Sequence, residues 1–144
     1  MIKEAKPLLN SNYLNLIKIN VTKKNIKWYL DTTQDKVDLI EKVIIRTKKH
    51  NKKYVDGVVA YTLILRIRTL DIIKKLIENK NYSKKVFVDR IKNISKGNNA
   101  YEAYLDVKNN LKSKKVALEE IEQLYGYLKK ELSYVNGLLK NLRR

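Results

Sequence analysis

Residues 53–78 read KYVDGVVAYTLILRIRTLDIIKKLIE, and the rest of the architecture is best worked out from this run. Val55, Val58, Val59, Thr62, Leu65, Thr69, Ile72, Ile73 and Leu76 recur at three- and four-residue steps, and Ile64, Ile67 and Leu70 widen the stripe. The β-branched residues favour strands, but an unbroken helical period over this length is not a strand's. The run predicts a long helix over Lys53–Glu78. Being apolar around most of its circumference, it belongs at the centre of a bundle. Arg66, Arg68 and Asp71 interrupt Val58–Ile73 and argue against a membrane span.

Toward the C-terminus, Asn79-Lys-Asn-Tyr-Ser is a polar turn, and Ser83 caps a short helix through Ile94. Gly97-Asn-Asn separates it from another helix, Ala100–Asn110. Asn109–Lys115 is a basic loop, with Ser113 a candidate cap for the last helix. There Leu118, Ile121, Tyr125, Leu128, Leu132, Val135, Leu139 and Leu142 alternate strictly by three and four. That heptad seam suits a neighbouring helix or a second copy of itself, and it favours a homodimer. Gly126 and Gly137 lie beside it. Glu119, Glu120 and Glu122 near its start and Lys140, Arg143 and Arg144 at its end complement the helix dipole.

Toward the N-terminus, one helix is expected over about Asn12–Asp31, with Leu14, Ile17, Val21 and Trp28 on its apolar side. Thr22-Lys-Lys-Asn could split it, and Lys18–Val21 also alternates like a strand. Another helix begins after Thr32-Thr33, either of which can cap it. It sets Val37, Ile40 and Ile44 on one face and runs out in Lys48–Lys53. Residues 1–10 read as a flexible or extended arm. The expectation is a single all-α domain over residues 1–144, a bundle of about five to six helices. Its landmarks are a long central helix and a long heptad-patterned C-terminal helix, with no strand.

Charge indicates the partner. The chain carries 32 Lys and Arg against 15 Asp and Glu, a net +17, and this excess rides on helical patterns instead of a tail. Such a field attracts phosphate-rich ligands. Apolar residues at 44% are enough for a packed core. With no Cys, disulfides and thiolate metal sites are excluded, which fits a cytoplasmic protein. No signal-peptide pattern follows Met1–Lys6. One His and scattered carboxylates form no recognisable metal-ligand set, and no cofactor is expected.

Three groups of residues are candidate phosphate or nucleic-acid contacts. The acid-free run Arg46-Thr-Lys48-Lys49-His50-Asn-Lys52-Lys53 is a phosphate clamp or, more plainly, a solvated helix end. Within it Arg46 and His50 could pair a charge stabiliser with a general base for RNA cleavage. HEPN ribonucleases carry an Arg, four to six residues and then a His, whereas three residues intervene here. Arg66 and Arg68, on the central helix with Thr62 and Thr69, line a pocket or form structural ion pairs. Tyr101, Tyr104 and Lys108 share a helix face that leads through Asn109 to Lys112, Lys114 and Lys115. Their rings either stack on bases or belong to the core.

Taken together, Arg66-Ile-Arg68-Thr69-Leu70, Asn81-Tyr82-Ser83-Lys84-Lys85 and Tyr101-x-x-Tyr104-x-x-Val107-Lys108-Asn109 resemble the helical C-terminal part of archaeal minimal nucleotidyltransferases. That part is similar to HEPN and nucleotidyltransferase substrate-binding bundles, and the likeness covers roughly Lys53–Leu132. The family's catalytic module has Gly-Ser followed by paired aspartates that hold metal. Here no Gly precedes Gly57 and no Asp-x-Asp occurs. The resemblance therefore implies an accessory bundle without the transferase, partnering a separate nucleotidyltransferase subunit, in some systems as a toxin–antitoxin pair. It also implies that Arg68, Tyr82, Lys84, Tyr104, Lys108 and Asn109 sit near a substrate surface.

Overall fold

The computed structural model describes residues 22–142. Five helices, α1 (Thr22–Lys49), α2 (Gly57–Ile77), α3 (Lys84–Ser95), α4 (Asn99–Lys108) and α5 (Leu118–Leu142), carry the fold. Two-residue strands β1 (Tyr54–Val55) and β2 (Val116–Ala117) pair between them. The all-α expectation holds; among the described residues the one departure from a strandless fold is this short pair. The expected arm and the Asn12–Val21 part of the helix predicted over about Asn12–Asp31 lie outside the described residues.

Helix α2 starts where Asp56 accepts the Val58 amide at 2.9 Å, and α3 where Ser83 accepts the Val86 amide at 3.3 Å. Helix ends are supplied mainly by asparagine. Asn51, Asn79 and Asn110 sit at φ 56°, 58° and 60°, just past α1, α2 and α4. The residues after Asn79 and Asn110 bond back to the helix, Lys80 N to Lys75 O and Leu111 N to Asp106 O, both at 2.7 Å. Asn tolerates this left-handed geometry better than most side chains, so a chain poor in Gly still turns sharply.

The predicted break at Thr32-Thr33 is absent, and α1 runs through it. Thr32 Oγ1 donates to the Tyr29 carbonyl at 3.0 Å, and Thr33 is fully buried. Both hydroxyls accept from Arg66 Nη1, at 3.1 and 3.2 Å, while the guanidinium stacks 4.5 Å from the Tyr29 ring centre. The threonines tie α1 to α2 instead of starting a helix. Val37, Ile40 and Ile44 are buried as expected, but Trp28 is 66% exposed; Ile26 and Leu30 are the residues turned inward there.

Helix α2 packs on α4 and α5 and is the centre of the bundle. Its buried face is Ala60, Leu63, Ile64, Ile67, Leu70, Asp71 and Ile73, while Val58 is 51% exposed. The core therefore follows the flank predicted to widen the stripe. Asp71, 4% exposed, accepts from Arg90 of α3 at 3.2 Å and lies 4.0 Å from Lys74. Lys74 in turn meets Glu131 of α5 at 2.9 Å. Partial burial pulls the Lys74 ammonium down, but the bond to Glu131 and its charge outweigh that and raise its pKa.

The α5 seam is spent inside the chain. Ile121, Leu128, Leu132, Val135 and Leu139 are at most 4% exposed, packed into the core with α2. Among the described residues these heptad positions therefore pack inside the chain, while Leu118 and Tyr125 are only partly buried. Ser113 does not cap α5, because β2 intervenes.

Gly126 and Gly137 have nothing within 4 Å of an added Cβ. Each Gly→Ala change is expected to stabilise by about 0.5–1 kcal/mol through helix propensity alone. A denaturant midpoint shifted upward without a changed m-value would show it.

Candidate nucleic-acid interface

Two basic runs far apart in sequence meet because β1 pairs with β2. Tyr54 lies opposite Ala117 and Val55 opposite Val116 in an antiparallel register, and the Leu118 amide donates to the Lys53 carbonyl at 2.9 Å. Val55 and Val116 are buried and fasten this clasp to the core. Just before β1 lies Arg46–Lys53, and just before β2 lies Asn109–Lys115. Neither run contains an acidic residue.

Between them is an open groove of about 510 Å³. Arg46, His50, Lys52 and Lys115 line it together with Tyr54 and Asp56. Arg46 and His50 fall one turn apart, with the His50 amide bonded to the Arg46 carbonyl at 3.1 Å. Asp56 is the groove's one carboxylate among the described residues, and its Oδ1 caps α2. Arg46, Lys52 and Lys115 make no ion pair among the described residues. Lys49, Lys53, Lys112 and Lys114 are exposed on the same two runs. Lys48 differs, being paired with Glu122 at 2.6 Å.

A second, narrower pocket of about 70 Å³ gathers other predicted residues: Arg68 of α2, Lys84 of α3, and Tyr104 and Lys108 of α4. Tyr82 also lines it. Asn109, the C-cap of α4, is exposed and does not line it. Arg66 belongs to neither place, since its guanidinium is engaged with Thr32, Thr33 and Tyr29.

The tyrosines are core residues. Tyr104 is 4% exposed, stacked 5.5 Å from Tyr61 and 5.6 Å from Tyr101, and Lys108 lies 6.0 Å from its ring centre. Those faces are already occupied, so the predicted stacking on bases finds no free ring at Tyr101 or Tyr104. Burial raises the Tyr104 hydroxyl pKa, against the lowering charge of Arg68.

Sequence reasoning missed two features. Tyr54, 60% exposed beside the groove, offers a free aromatic face where none was sought. Gly57 is the other: a Cβ there would overlap Ser113 Oγ and lie 2.7 Å from Ser113 Cβ and 2.9 Å from the Lys114 carbonyl. It lets the second basic run press against the start of α2. Its place between a capping Asp and an apolar helix was the available signal.

Among the described residues no three His, Cys, Asp or Glu side chains gather as a metal site, and no helix is long and apolar enough to cross a membrane. No family model, curated protein or solved structure matches this chain.

Proposed function

We propose that this chain is a non-catalytic, strongly basic helical module that binds nucleic acid through the groove between its two basic runs. The observation that carries this is the β1–β2 clasp. It brings Arg46 and Lys52 from one acid-free run beside Lys115 from another, over a rigid, buried anchor. Cations fixed at one place displace condensed counterions together, which is the physics of phosphate-backbone binding. The mechanism is electrostatic, with Tyr54 placed to add a stacking contact. Following the resemblance, the module acts as the accessory subunit beside a separately encoded nucleotidyltransferase.

The test is an equilibrium titration of a labelled duplex at several salt concentrations. Combining Arg46→Ala, Lys52→Ala and Lys115→Ala should make the slope of log affinity against log salt shallower by about 2–3 units. Replacing Lys129 and Lys140, which line a different groove with Gln34, should alter it far less. Binding indifferent to salt, or equal slopes in both variants, would refute the proposal.

A second reading is favoured by one observation, that Arg46 and His50 share this groove. It is a HEPN-like ribonuclease, in which His50 takes the 2′-hydroxyl proton and Arg46 stabilises the phosphorane charge. RNA cleavage by the wild type that disappears in His50→Ala would replace the non-catalytic reading with this one.

A further inference from the structure

The narrow pocket differs in kind from the open groove. Three elements each send one cation into it: Arg68 from α2, Lys84 from the first turn of α3, and Lys108 from the last turn of α4. None of the three makes an ion pair among the described residues. Arg68 is half-buried and Lys84 and Lys108 are exposed; two other half-buried cations are paired, Lys74 with Glu131 and Arg90 with Asp71. No carboxylate lines this pocket. Asp71, whose charge reaches Tyr82, is held by Arg90 and Lys74.

Tyr82 supplies an independent observation. Its hydroxyl is shielded from water, and although Arg68 lies near enough to act on it as a donor, its proton finds no acceptor among the described residues. Burial raises its pKa, with the Arg68 cation pulling the other way, so the phenol keeps its proton near neutral pH. A buried hydroxyl without an acceptor is costly. Arginine and lysine side chains are donors only, so none of the three cations can accept its proton. An oxyanion held by the three cations would accept it.

Size narrows the choice. The pocket is small, about 70 Å³, on the scale of a phosphoryl group and well below the roughly 300–1,000 Å³ of ordinary small-molecule sites. Charge narrows it further. A phosphate monoester carries about −1.5 to −2 at neutral pH, closer to the three cations than the single charge of a backbone diester.

We infer that Arg68, Lys84, Lys108 and the Tyr82 hydroxyl form a pocket for one terminal phosphate monoester of a nucleic-acid strand. This rests on the nucleic-acid reading above.

The experiment compares single strands of one sequence bearing a 5′-phosphate, a 3′-phosphate or only hydroxyl ends. Wild type should bind one phosphorylated end about tenfold more tightly than the hydroxyl strand. Inorganic phosphate should remove that preference without displacing the hydroxyl strand. Tyr82→Phe should shrink the preference at least threefold while melting no lower than wild type, because it deletes a buried donor without an acceptor. Arg68→Gln should remove the preference while leaving hydroxyl-strand binding intact.

Equal affinity for all three strands, or a preference that survives both substitutions, overturns the pocket and leaves groove binding standing. Inorganic phosphate binding alone as tightly as a phosphorylated end also overturns it, making free phosphate the ligand. If no strand binds at all, the nucleic-acid reading itself has failed.

Discussion

Leu128→Lys is expected to abolish the folded monomer, not to split a dimer. Leu128 is fully buried within the chain's own core, packed with α2. Removing the leucyl side chain alone costs about 2–5 kcal/mol. Holding a lysine with an ordinary pKa near 10.4 neutral in that environment at pH 7 costs up to about 4–5 kcal/mol more. Together these reach the 5–15 kcal/mol of stability typical of a whole domain. Far-UV circular dichroism should show lost helix. Leu128→Ala should remain folded, with a lowered denaturant midpoint and an unchanged sedimenting mass. A Leu128→Lys protein that melts like wild type at half its mass would show that the seam faces a second copy.

The seam also shows how sequence and structure divide the information. A strict three-four alternation names the residues of a contact, and those residues are in fact buried. It says nothing about which chain supplies the other side. Similarly, the all-round apolar character of α2 correctly marks a central helix but conceals its phase. With Val58, Val59, Ile64 and Ile67 all apolar, only the burial of Asp71 against Arg90 and Lys74 reveals the inward face. That ion cluster is tertiary and has only a local trace, the three-residue spacing of Asp71 and Lys74.

Thr32-Thr33 failed as a cap signal for a related reason. A threonine pair has the same local chemistry mid-helix as at a helix start, and Arg66, more than thirty residues away, decides between them. Ser83 succeeded because its cap bond is local, to an amide three residues on.

The candidate site follows the same rule. Each basic run was legible from its lack of acids. Their meeting was not, because β1 and β2 are two residues long and no periodicity can appear in so short a strand. The gathering of Arg68, Lys84 and Lys108 around Tyr82 likewise depends on how α2, α3 and α4 cross. Tyr101 and Tyr104 went the other way: their spacing admitted stacking or core, and burial selected core.

Gly57→Ala is expected to weaken folding and nucleic-acid binding together, in contrast to the gain from the same change at Gly126. Both glycines are helical and neither has positive φ; Ala should gain about 0.5–1 kcal/mol in helix propensity at Gly126, inside α5, and less at Gly57, the first residue of α2. The difference is space. At Gly126 the new methyl meets nothing within 4 Å. At Gly57 it collides with Ser113 and comes to 2.9 Å from the Lys114 carbonyl, a backbone atom that cannot rotate away. Overpacking of this kind costs about 1–3 kcal/mol, which outweighs the propensity gain and gives a net loss. The strain can relax only by lifting residues 113–115 off α2, and this moves Lys114 and Lys115 away from Arg46 and Lys52. The salt slope for duplex binding should then fall by about 1–2 units, in a protein that remains helical. Gly57→Val should extend both effects. If Gly57→Ala instead raises the melting temperature as Gly126→Ala does, the loop is not pressed against α2, and the clasp does not hold the two basic runs in one groove.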